Sequence, residues 1–361
     1  MTSAVHQFIP TLAARSAVGN HTLAVRSLLH DLGFASEVYV GEATSEVAAM
    51  SRPFRSYAGD ARGDGSDVLL YQASTGSAMA EFLIQRPERR VVNYHNMTPV
   101  SLFGPWEPQV GAELALGRQQ LADLAPAAAL GIAVSAYNRA ELDALGYPRT
   151  EVVPLLVDLA AFDADVDRVT LERLRSDSGA GSAWLFVGRI APNKAQHDLV
   201  KAFSVYRRVY DPAARLRLVG GSSSHAYLSA LARFRSELGL DDVVELVGEV
   251  SDAELAAHYR AADVFVCASD HEGFCIPLLE AMHHELPIVA YASTAVPETV
   301  ADAGIVLASK SPALVAAAVH RAVSDEALRI HLAAAGRRRL ADFTLTRTRE
   351  RFTAALSPLV G

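Results

Sequence analysis

Two glutamates, Glu272 and Glu280, are separated by seven residues and are the clearest candidates for chemistry in the sequence. Glu272 stands in a predicted loop directly after the β-branched and aromatic run 264–267, which predicts a strand. Glu280 falls about one turn into the helix that is predicted to follow. A carboxylate repels phosphate but accepts hydrogen bonds from sugar hydroxyls. The pair therefore indicates either a sugar site or two acids that simply stabilise a helix N-terminus.

The loop between these acids has the features of a helix start. Gly273 permits a tight turn, and Pro277 suits the first turn of a helix because its missing N–H would be unpaired there. The helix is therefore predicted to begin near Ile276. Its first amides point outwards with a partial positive charge, which favours phosphate binding. The amides concerned are those of Phe274, Cys275 and Ile276.

A second candidate loop is basic and follows the predicted strand 184–187. Gly188 allows a turn, and Arg189 and Lys194 follow it as two cations five residues apart. Arginine offers a planar fork and lysine a mobile point charge, so together they could neutralise a diphosphate leaving group without a metal ion. A solvated loop could carry the same charges. The lysine is nevertheless notable, because the whole chain has only Lys194, Lys201 and Lys310.

Two loops in the first half carry further candidates. His95 follows the predicted strand 91–94, where its imidazole would face a ligand rather than the core. A loop histidine that caps a turn is the alternative. Gly19 would let a donor phosphate approach the backbone, although a plain helix start accounts for it equally well. Phe103 and Trp106 could stack on an acceptor ring or pack against the protein surface.

The elements that must position these residues are short strands that alternate with helices. Such alternation predicts parallel sheets with helices on both faces and ligands at the carboxyl ends of strands. The fold class is therefore α/β, with two doubly wound, Rossmann-like domains. The predicted strands are 5–9, 37–40, 68–72, 91–94, 131–135 and 151–156 in the first half, and 184–187, 216–219, 243–247, 264–268, 288–291 and 305–307 in the second.

Acidic, Gly/Ser-containing sequence interrupts this rhythm and predicts a connection between the domains. Its aspartates Asp163, Asp165 and Asp167 suggest an Asp-x-Asp metal motif, but such a motif should end a strand and these residues lie in polar linker sequence. No metal site is predicted there. The predicted division is residues 1–158 as a first domain, 159–182 as a linker, 183–345 as a second domain, and 346–361 as a final helix.

Read together, the acidic loop at Glu272 and the basic loop at Arg189 and Lys194 resemble those of the retaining glycosyltransferases of family 4. These enzymes carry an EX7E signature and have the GT-B fold, in which two domains face a cleft. The resemblance implies that Glu272 contacts the donor sugar, that Glu280 holds the nucleotide ribose, and that Arg189 and Lys194 clamp the diphosphate. It also implies roles for His95 near the donor sugar and for the backbone of Val250 and Ser251 at the base. By the same resemblance, residues 1–158 form the acceptor domain, residues 183–345 form the donor domain, and the helix 346–361 packs back on the first domain. One departure is Cys275, where the family usually has glycine.

Composition excludes several other classes. The net charge of −8 argues against a nucleic-acid partner, because phosphate backbones are bound by clustered positive charge. No membrane-spanning run or secretory leader is recognisable, and Cys267 and Cys275 as the only cysteines indicate a reducing, cytoplasmic setting. A peripheral contact with a membrane stays open.

The sequence also lacks the motifs of serine hydrolases, Walker ATPases, dinucleotide-dependent dehydrogenases and zinc proteases.

Taken with these residues, the resemblance implies a retaining, metal-independent glycosyltransferase without a cofactor. It would move a hexose-type sugar from a nucleoside diphosphate sugar, with UDP favoured, to an acceptor hydroxyl. A UDP-sugar epimerase of the same fold and a non-catalytic nucleotide-sugar-binding subunit are the alternatives.

Overall fold

The computed structural model describes residues 4–14, 16–59, 65–163 and 165–360, and it divides into two compact units. The first unit comprises residues 1–104, 108–157 and 343–361, and the second comprises 105–107 and 158–342. Each unit contains one parallel sheet covered by helices.

The first unit has a seven-stranded sheet in the order β3-β2-β1-β4-β5-β6-β7. Its order reverses between β1 and β4, which makes their carboxyl ends the expected place for a ligand. The strands are β1 (Val5–Leu12), β2 (Val38–Ala43), β3 (Arg52–Pro53), β4 (Val68–Ala73), β5 (Arg89–Tyr94), β6 (Ala128–Ala133) and β7 (Thr150–Val152). The helices before residue 158 are α1 (Ala17–Asp31), α2 (Ala78–Ile84), α3 (Val100–Phe103), α4 (Pro108–Leu124) and α5 (Ala136–Ala144).

The second unit has a six-stranded sheet in the order β10-β9-β8-β11-β12-β13, which reverses between β8 and β11. Its strands are β8 (Ala183–Val187), β9 (Arg215–Val219), β10 (Val244–Gly248), β11 (Val264–Cys267), β12 (Ile288–Tyr291) and β13 (Gly304–Leu307). Its helices are α6 (Arg168–Ser178), α7 (Gln196–Val209), α8 (His225–Glu237), α9 (Asp252–Arg260), α10 (Ile276–His283), α11 (Val296–Val300), α12 (Pro312–Ser324) and α13 (Glu326–Leu340).

All twelve strands expected from the sequence are present, and the predicted α/β fold class is confirmed. The two-residue strand β3 was not predicted, because it is too short to show an apolar pattern. The pairing of β7 ends at Val152, although an extended strand was expected through residue 156. Val153, Leu155 and Leu156 are buried all the same, so their apolar pattern reflects core packing rather than strand pairing.

The stretch 159–182, predicted as a linker, lies within the second unit and contains the helix α6. Asp167 caps α6, because its carboxylate accepts a hydrogen bond of 2.6 Å from the N–H of Thr170. Leu174 is fully buried, and α6 packs against α9. The acidic run that resembled linker sequence thus supplies the start of a surface helix.

The last helix, α14 (Leu345–Leu356), belongs to the first unit. Phe352, Ala355 and Leu356 are buried in one apolar cluster with residues of β1, α1, β4 and β6. The chain therefore returns to complete the core that its first strand begins. Among the described residues, no helix combines the length and apolar character needed to cross a bilayer.

Candidate active site

The two candidate loops of the second unit lie where its sheet order reverses. The basic loop follows β8 and the Glu272 loop follows β11, and these neighbouring strands are parallel. Their carboxyl ends therefore open on the same edge of the sheet, which is the usual ligand position in doubly wound folds.

An ion pair joins the two loops. The ammonium of Lys194 donates a hydrogen bond of 2.6 Å to Oε2 of Glu272, and both side chains are largely buried, with 18% and 7% exposed. Burial opposes the charge of Lys194, but the adjacent Glu272 carboxylate outweighs it and raises the pKa of Lys194 above its ordinary value. The structure thus holds a fixed positive and a fixed negative group side by side.

The Glu272 loop is fixed by three side chains from neighbouring elements. The hydroxyl of Thr294 accepts a hydrogen bond from the N–H of Glu272 and donates one to its carbonyl, both at 2.8 Å. The hydroxyl of Thr299 donates to the carbonyl of Phe274 at 2.7 Å, and the side-chain amide of Asn193 donates to the carbonyl of His271 at 3.1 Å. The loop is therefore held in one position before any ligand arrives.

A second charged cluster supports the beginning of this loop. Lys310 contacts Asp270 at 2.5 Å and Asp198 at 2.7 Å. Although burial opposes its charge, hydrogen bonds to these carboxylates raise the pKa of Lys310. Lys201 also pairs with Asp198, at 2.9 Å. All three lysines of the chain therefore take part in ion pairs near the two loops.

The N-terminus of α10 is formed as the sequence predicts, with the helix starting at Ile276 and proline in its first turn. Cys275 is its N-cap and has a φ of 72°, in the left-handed region that favours glycine. The backbone N–H groups of Cys275 and Ile276 make no hydrogen bond to other described residues. They can bind an anion.

Glycines allow the basic loop to pass close to its neighbour. Gly188 has a φ of 150° and Gly220 a φ of 137°, and a Cβ on Gly220 would lie 2.3 Å from the carbonyl oxygen of Gly188. Beyond Gly188 the side chain of Arg189 is exposed, while its carbonyl accepts a hydrogen bond of 2.8 Å from Gln196. The backbone is therefore fixed and the guanidinium points to solvent.

Glu280 lies on the first turns of α10. The phenol of Tyr259 donates a hydrogen bond of 2.6 Å to its Oε2. Burial raises the pKa of Glu280, while this hydrogen bond works in the opposite direction. The carboxylate is thus oriented by Tyr259, a residue that the sequence did not identify.

The two residues expected at the nucleotide base differ in what they offer. Ser251 is the N-cap of α9 in a capping box: its N–H donates to Glu254 at 2.8 Å and its carbonyl accepts from Leu255 at 2.8 Å. Both backbone groups thus take part in the cap, although the carbonyl oxygen keeps a second lone pair, and the contact of Ser251 with a base stays a prediction. Val250 directly precedes this cap and is half-buried.

Five amide and imidazole side chains, four of them fully buried, meet at the sheet reversal of the first unit. Gln72 on β4 donates to Gln7 on β1 at 2.8 Å, and its Oε1 accepts from Asn93 on β5 at 3.0 Å. The Nε2 of His95 lies 2.6 Å from the same oxygen, so this nitrogen carries the proton. His21 on α1 lies 2.9 Å from Asn93.

Burial keeps His95 neutral, and the hydrogen bond to Gln72 orients its ring. Burial, with a smaller contribution from His21, lowers the pKa of His95 well below its ordinary value. Its Nδ1 has no hydrogen-bond partner among the residues that the structure describes. His95, expected to face a ligand, is half-buried and presents an unused acceptor nitrogen.

Gly19 has a steric role in α1. A Cβ at this position would lie 2.6 Å from the carbonyl oxygen of Ala13, so only glycine fits this approach of helix and loop. Of the two aromatic candidates, Phe103 is buried, while Trp106 packs edge-to-face against Tyr227 at 5.2 Å between ring centroids. These contacts explain all three residues by packing within their own units.

Sequence comparison places the second half of the chain in a known family. A family profile described as Glycosyl transferases group 1 matches residues 181–339. A D-inositol 3-phosphate glycosyltransferase of Kineococcus radiotolerans is 37% identical over 207 residues, which cover 53% of this chain and 48% of that protein. The chain thus spans about half the length of this and other curated relatives.

One relative is matched over more of its length. A GDP-mannose-dependent alpha-(1-6)-phosphatidylinositol monomannoside mannosyltransferase of Mycolicibacterium smegmatis is 30% identical over 260 residues, covering 65% of this chain and 67% of that protein. Anabaena HepE, solved with UDP and glucose, covers 98% of this chain at 17% identity with a TM-score of 0.72. Sucrose-phosphate synthase from Thermosynechococcus elongatus covers 99% at 20% identity with a TM-score of 0.75.

The structural likeness establishes the two-domain Rossmann-like fold of GT-B type, and the sequence likeness establishes the family. The residues matched by the family profile, 181–339, include the loops that carry the Lys194–Glu272 pair and the start of α10. This chain belongs to the group 1 glycosyltransferases.

Proposed function

We propose that this protein is a retaining, metal-independent glycosyltransferase that uses a nucleoside diphosphate sugar and an acceptor hydroxyl. The observation that carries the proposal is the Lys194–Glu272 pair of 2.6 Å beside the open amides of α10. It provides cations and N–H groups for a diphosphate and a carboxylate for sugar hydroxyls at one edge of the sheet.

In this proposal the diphosphate binds Arg189, Lys194 and the first amides of α10. The Lys194 ammonium has three protons, of which one is directed at Glu272, so the others can bind phosphate oxygens. Glu272 accepts hydrogen bonds from the donor sugar, and Glu280 from the ribose. Positive charge that is already in place stabilises the leaving diphosphate without reorganisation.

The reaction proceeds on one face of the sugar. The bond from the anomeric carbon to the diphosphate oxygen breaks, the acceptor oxygen bonds to the same carbon, and the acceptor proton passes to the departing diphosphate. His95 acts by position, with its neutral ring stabilising the positive charge that develops on the sugar. Its lowered pKa keeps the ring uncharged at neutral pH.

The relatives suggest which donor base and which acceptor to test first. UDP was favoured from the sequence, and HepE has been solved with UDP-glucose. The Mycolicibacterium relative is named as GDP-mannose-dependent, which makes GDP-mannose the first donor to test. Both named acceptors, D-inositol 3-phosphate and phosphatidylinositol monomannoside, contain inositol and phosphate, so an inositol phosphate is the first acceptor class.

The test begins with thermal unfolding in EDTA with UDP, GDP, ADP or dTDP. A ligand at about 100 times its Kd adds roughly 2.7 kcal/mol of stability. One diphosphate should stabilise the wild type, and Lys194→Met should lose this response. Arg337→Met is the control, since Arg337 forms an exposed pair with Glu285 outside the proposed site.

The second measurement is release of nucleoside diphosphate from the matching sugar nucleotide. Release that requires an acceptor, with the anomeric configuration retained in the product, supports the proposal. A change of sugar stereochemistry without acceptor would establish the epimerase alternative instead. Binding of sugar nucleotide without turnover against the acceptor panel would favour a non-catalytic subunit, and no binding of any diphosphate would overturn the donor site.

A further inference from the structure

The only two cysteines of the chain lie together beside the proposed donor site. Cys267 ends β11 and is buried, Cys275 caps α10, and Glu272 lies between them in sequence. One ligand atom from each of these three side chains falls within 4.8 Å of the others. Residues eight positions apart in the chain are thus brought to one point by the strand, loop and helix.

This donor set matches a soft, tetrahedral metal ion such as Zn²⁺. Zinc binds thiolate sulfur at about 2.3 Å and carboxylate oxygen at about 2.0–2.2 Å, which places tetrahedral ligand atoms roughly 3.5 Å apart. Small side-chain rotations would bring the three atoms to that spacing. The fourth position would remain open to water, as in other zinc sites with three protein ligands.

Charge balance also favours such an ion. Two thiolates and one carboxylate supply three negative charges, which balance a divalent ion together with the adjacent Lys194 ammonium. Binding releases the two thiol protons to solvent and leaves the oxidation state of sulfur and metal unchanged. Lys194 contacts Oε2 of Glu272, so Oε1 can turn to the metal.

A neighbouring side chain is placed to support the sulfur ligand. The thiol of Cys267 lies 3.4 Å from the hydroxyl of the fully buried Ser269, and that hydroxyl could turn to donate to a thiolate. Metal ligands commonly receive such outer hydrogen bonds, which orient them and tune the site.

We propose that Cys267, Cys275 and Glu272 form a binding site for Zn²⁺, and that zinc and the sugar nucleotide bind antagonistically. Zinc engages the carboxylate that would contact the sugar, and its ligand Cys275 carries one of the amides that would contact the diphosphate. The antagonism rests on the proposed function, whereas the metal site itself does not.

The metal site is tested first, without any nucleotide. Reduced, chelator-treated protein is titrated with Zn²⁺ by calorimetry, and Co²⁺ is added separately to follow thiolate-to-cobalt absorption. We expect one ion per chain and a thiolate band. Cys267→Ala and Cys275→Gly should each weaken zinc binding more than the roughly 10–100-fold that loss of an outer partner costs.

A matched control separates this site from ordinary surface binding. His283 and Asp163 form a pair of 2.8 Å at the surface that could also attract zinc. His283→Ala should leave the affinity and the thiolate band unchanged. Zinc binding that survives both cysteine substitutions, or a cobalt complex without the thiolate band, would overturn the site.

The antagonism is tested with the diphosphate that stabilises the metal-free protein. Its Kd should rise at least about tenfold when zinc saturates the wild type, whereas Cys267→Ala should show little change. This variant also controls for chelation of zinc by the nucleotide. An unchanged Kd in zinc-loaded wild type would overturn the antagonism, while failure of every nucleotide to bind metal-free protein would count against the proposed function alone.

Discussion

In both units, polar side chains lie where the strand order of the sheet reverses, but the two groups of side chains differ in chemistry. In the second unit the polar groups are ions, with Lys194 against Glu272 and Lys310 against Asp270. In the first unit they are neutral amides and imidazoles centred on Gln72. A bound diphosphate needs positive charge nearby to balance its own negative charge. A histidine stays neutral when it is buried without a carboxylate beside it. The proposed function uses charge at the second reversal to bind a diphosphate and the uncharged ring of His95 at the first.

The largest effect is expected from breaking the ion pair. Glu272→Ala leaves Lys194 buried beside no carboxylate, and removing one partner of a buried pair costs roughly 3–5 kcal/mol, toward the lower end here because Lys194 is partly exposed. Denaturant unfolding should show this loss, and sugar transfer should be abolished. Full turnover in this variant would contradict the proposed site.

Two further variants sharpen the same test. The double substitution Lys194→Met/Glu272→Leu removes both charges and should recover most of the stability without recovering transfer. Asp302→Ala breaks the exposed pair with Arg338 and should change stability little. If the double variant were as unstable as Glu272→Ala, loss of packing rather than an unpaired charge would be responsible.

A smaller effect is expected in the neutral network. Gln72→Leu keeps the side-chain size but leaves Gln7, Asn93 and His95 without their shared partner, which should cost about 1–3 kcal/mol. Hydrogen exchange in β4 and β5 would report the loss. Gln119→Leu is the control, because its amide contacts only Asp123 at the surface among the described residues. Equal losses of stability from the two substitutions would show that the buried hydrogen bonds of Gln72 contribute no more than an exposed one.

The network should also make the first unit sensitive to acid. Burial lowers the pKa of His21 from 6.5 to about 3, so the folded state binds fewer protons than the unfolded state between these values. Stability is therefore lost as the pH falls below 6.5, with a slope approaching about 1.4 kcal/mol per pH unit for this one group. Hydrogen exchange of α1 at pH 7 and pH 5 measures the change.

His21→Asn provides the comparison for this pH effect. It should reduce the pH dependence of exchange in α1, even if it lowers stability at pH 7. Fluorescence of Trp184, which is buried in the second unit, should respond to the substitution much less. An unaltered slope in α1 would indicate that other groups determine its acid sensitivity.

The smallest effect concerns backbone strain at the start of α10. Cys275 holds a φ of 72°, so Cys275→Gly should stabilise the second unit by about 0.5–1 kcal/mol. Gly188→Ala should act in the opposite direction, since Gly188 has a φ of 150° and a Cβ there would meet Phe186 at 3.2 Å. Thermal unfolding would show whether each substitution raises or lowers stability. Destabilisation by Cys275→Gly would mean that the contacts of the thiol outweigh the backbone strain.

The contrast between the two regions also explains what the sequence could reveal. Glu272, Glu280 and the start of α10 stand within nine residues of each other, so a local pattern predicts both the helix start and its acids. Lys194 was predicted as a phosphate ligand from its loop alone. Its pairing with Glu272, 78 residues away, became visible only when the sheet brought the loops together.

The neutral network was missed because no local pattern records it. Gln7, Gln72 and Asn93 lie on three strands, and each reads in sequence as an isolated polar residue within an apolar run. Thr294 and Tyr259, which orient Glu272 and Glu280, were missed for the same reason. Ser251 differs, since its spacing to Glu254 is a local capping-box signal that was overlooked, while its contact with a base stays a prediction.

The return of α14 to the first unit has a consequence for the order of synthesis. Once residue 342 has left the ribosome, every described residue of the second unit is available, whereas the first unit still lacks Phe352 and Leu356 from its core. The half of the chain that is made first is therefore the half that is completed last. Until α14 emerges, a nascent chain must carry an exposed apolar surface on β1 and α1, where a chaperone would be expected to bind.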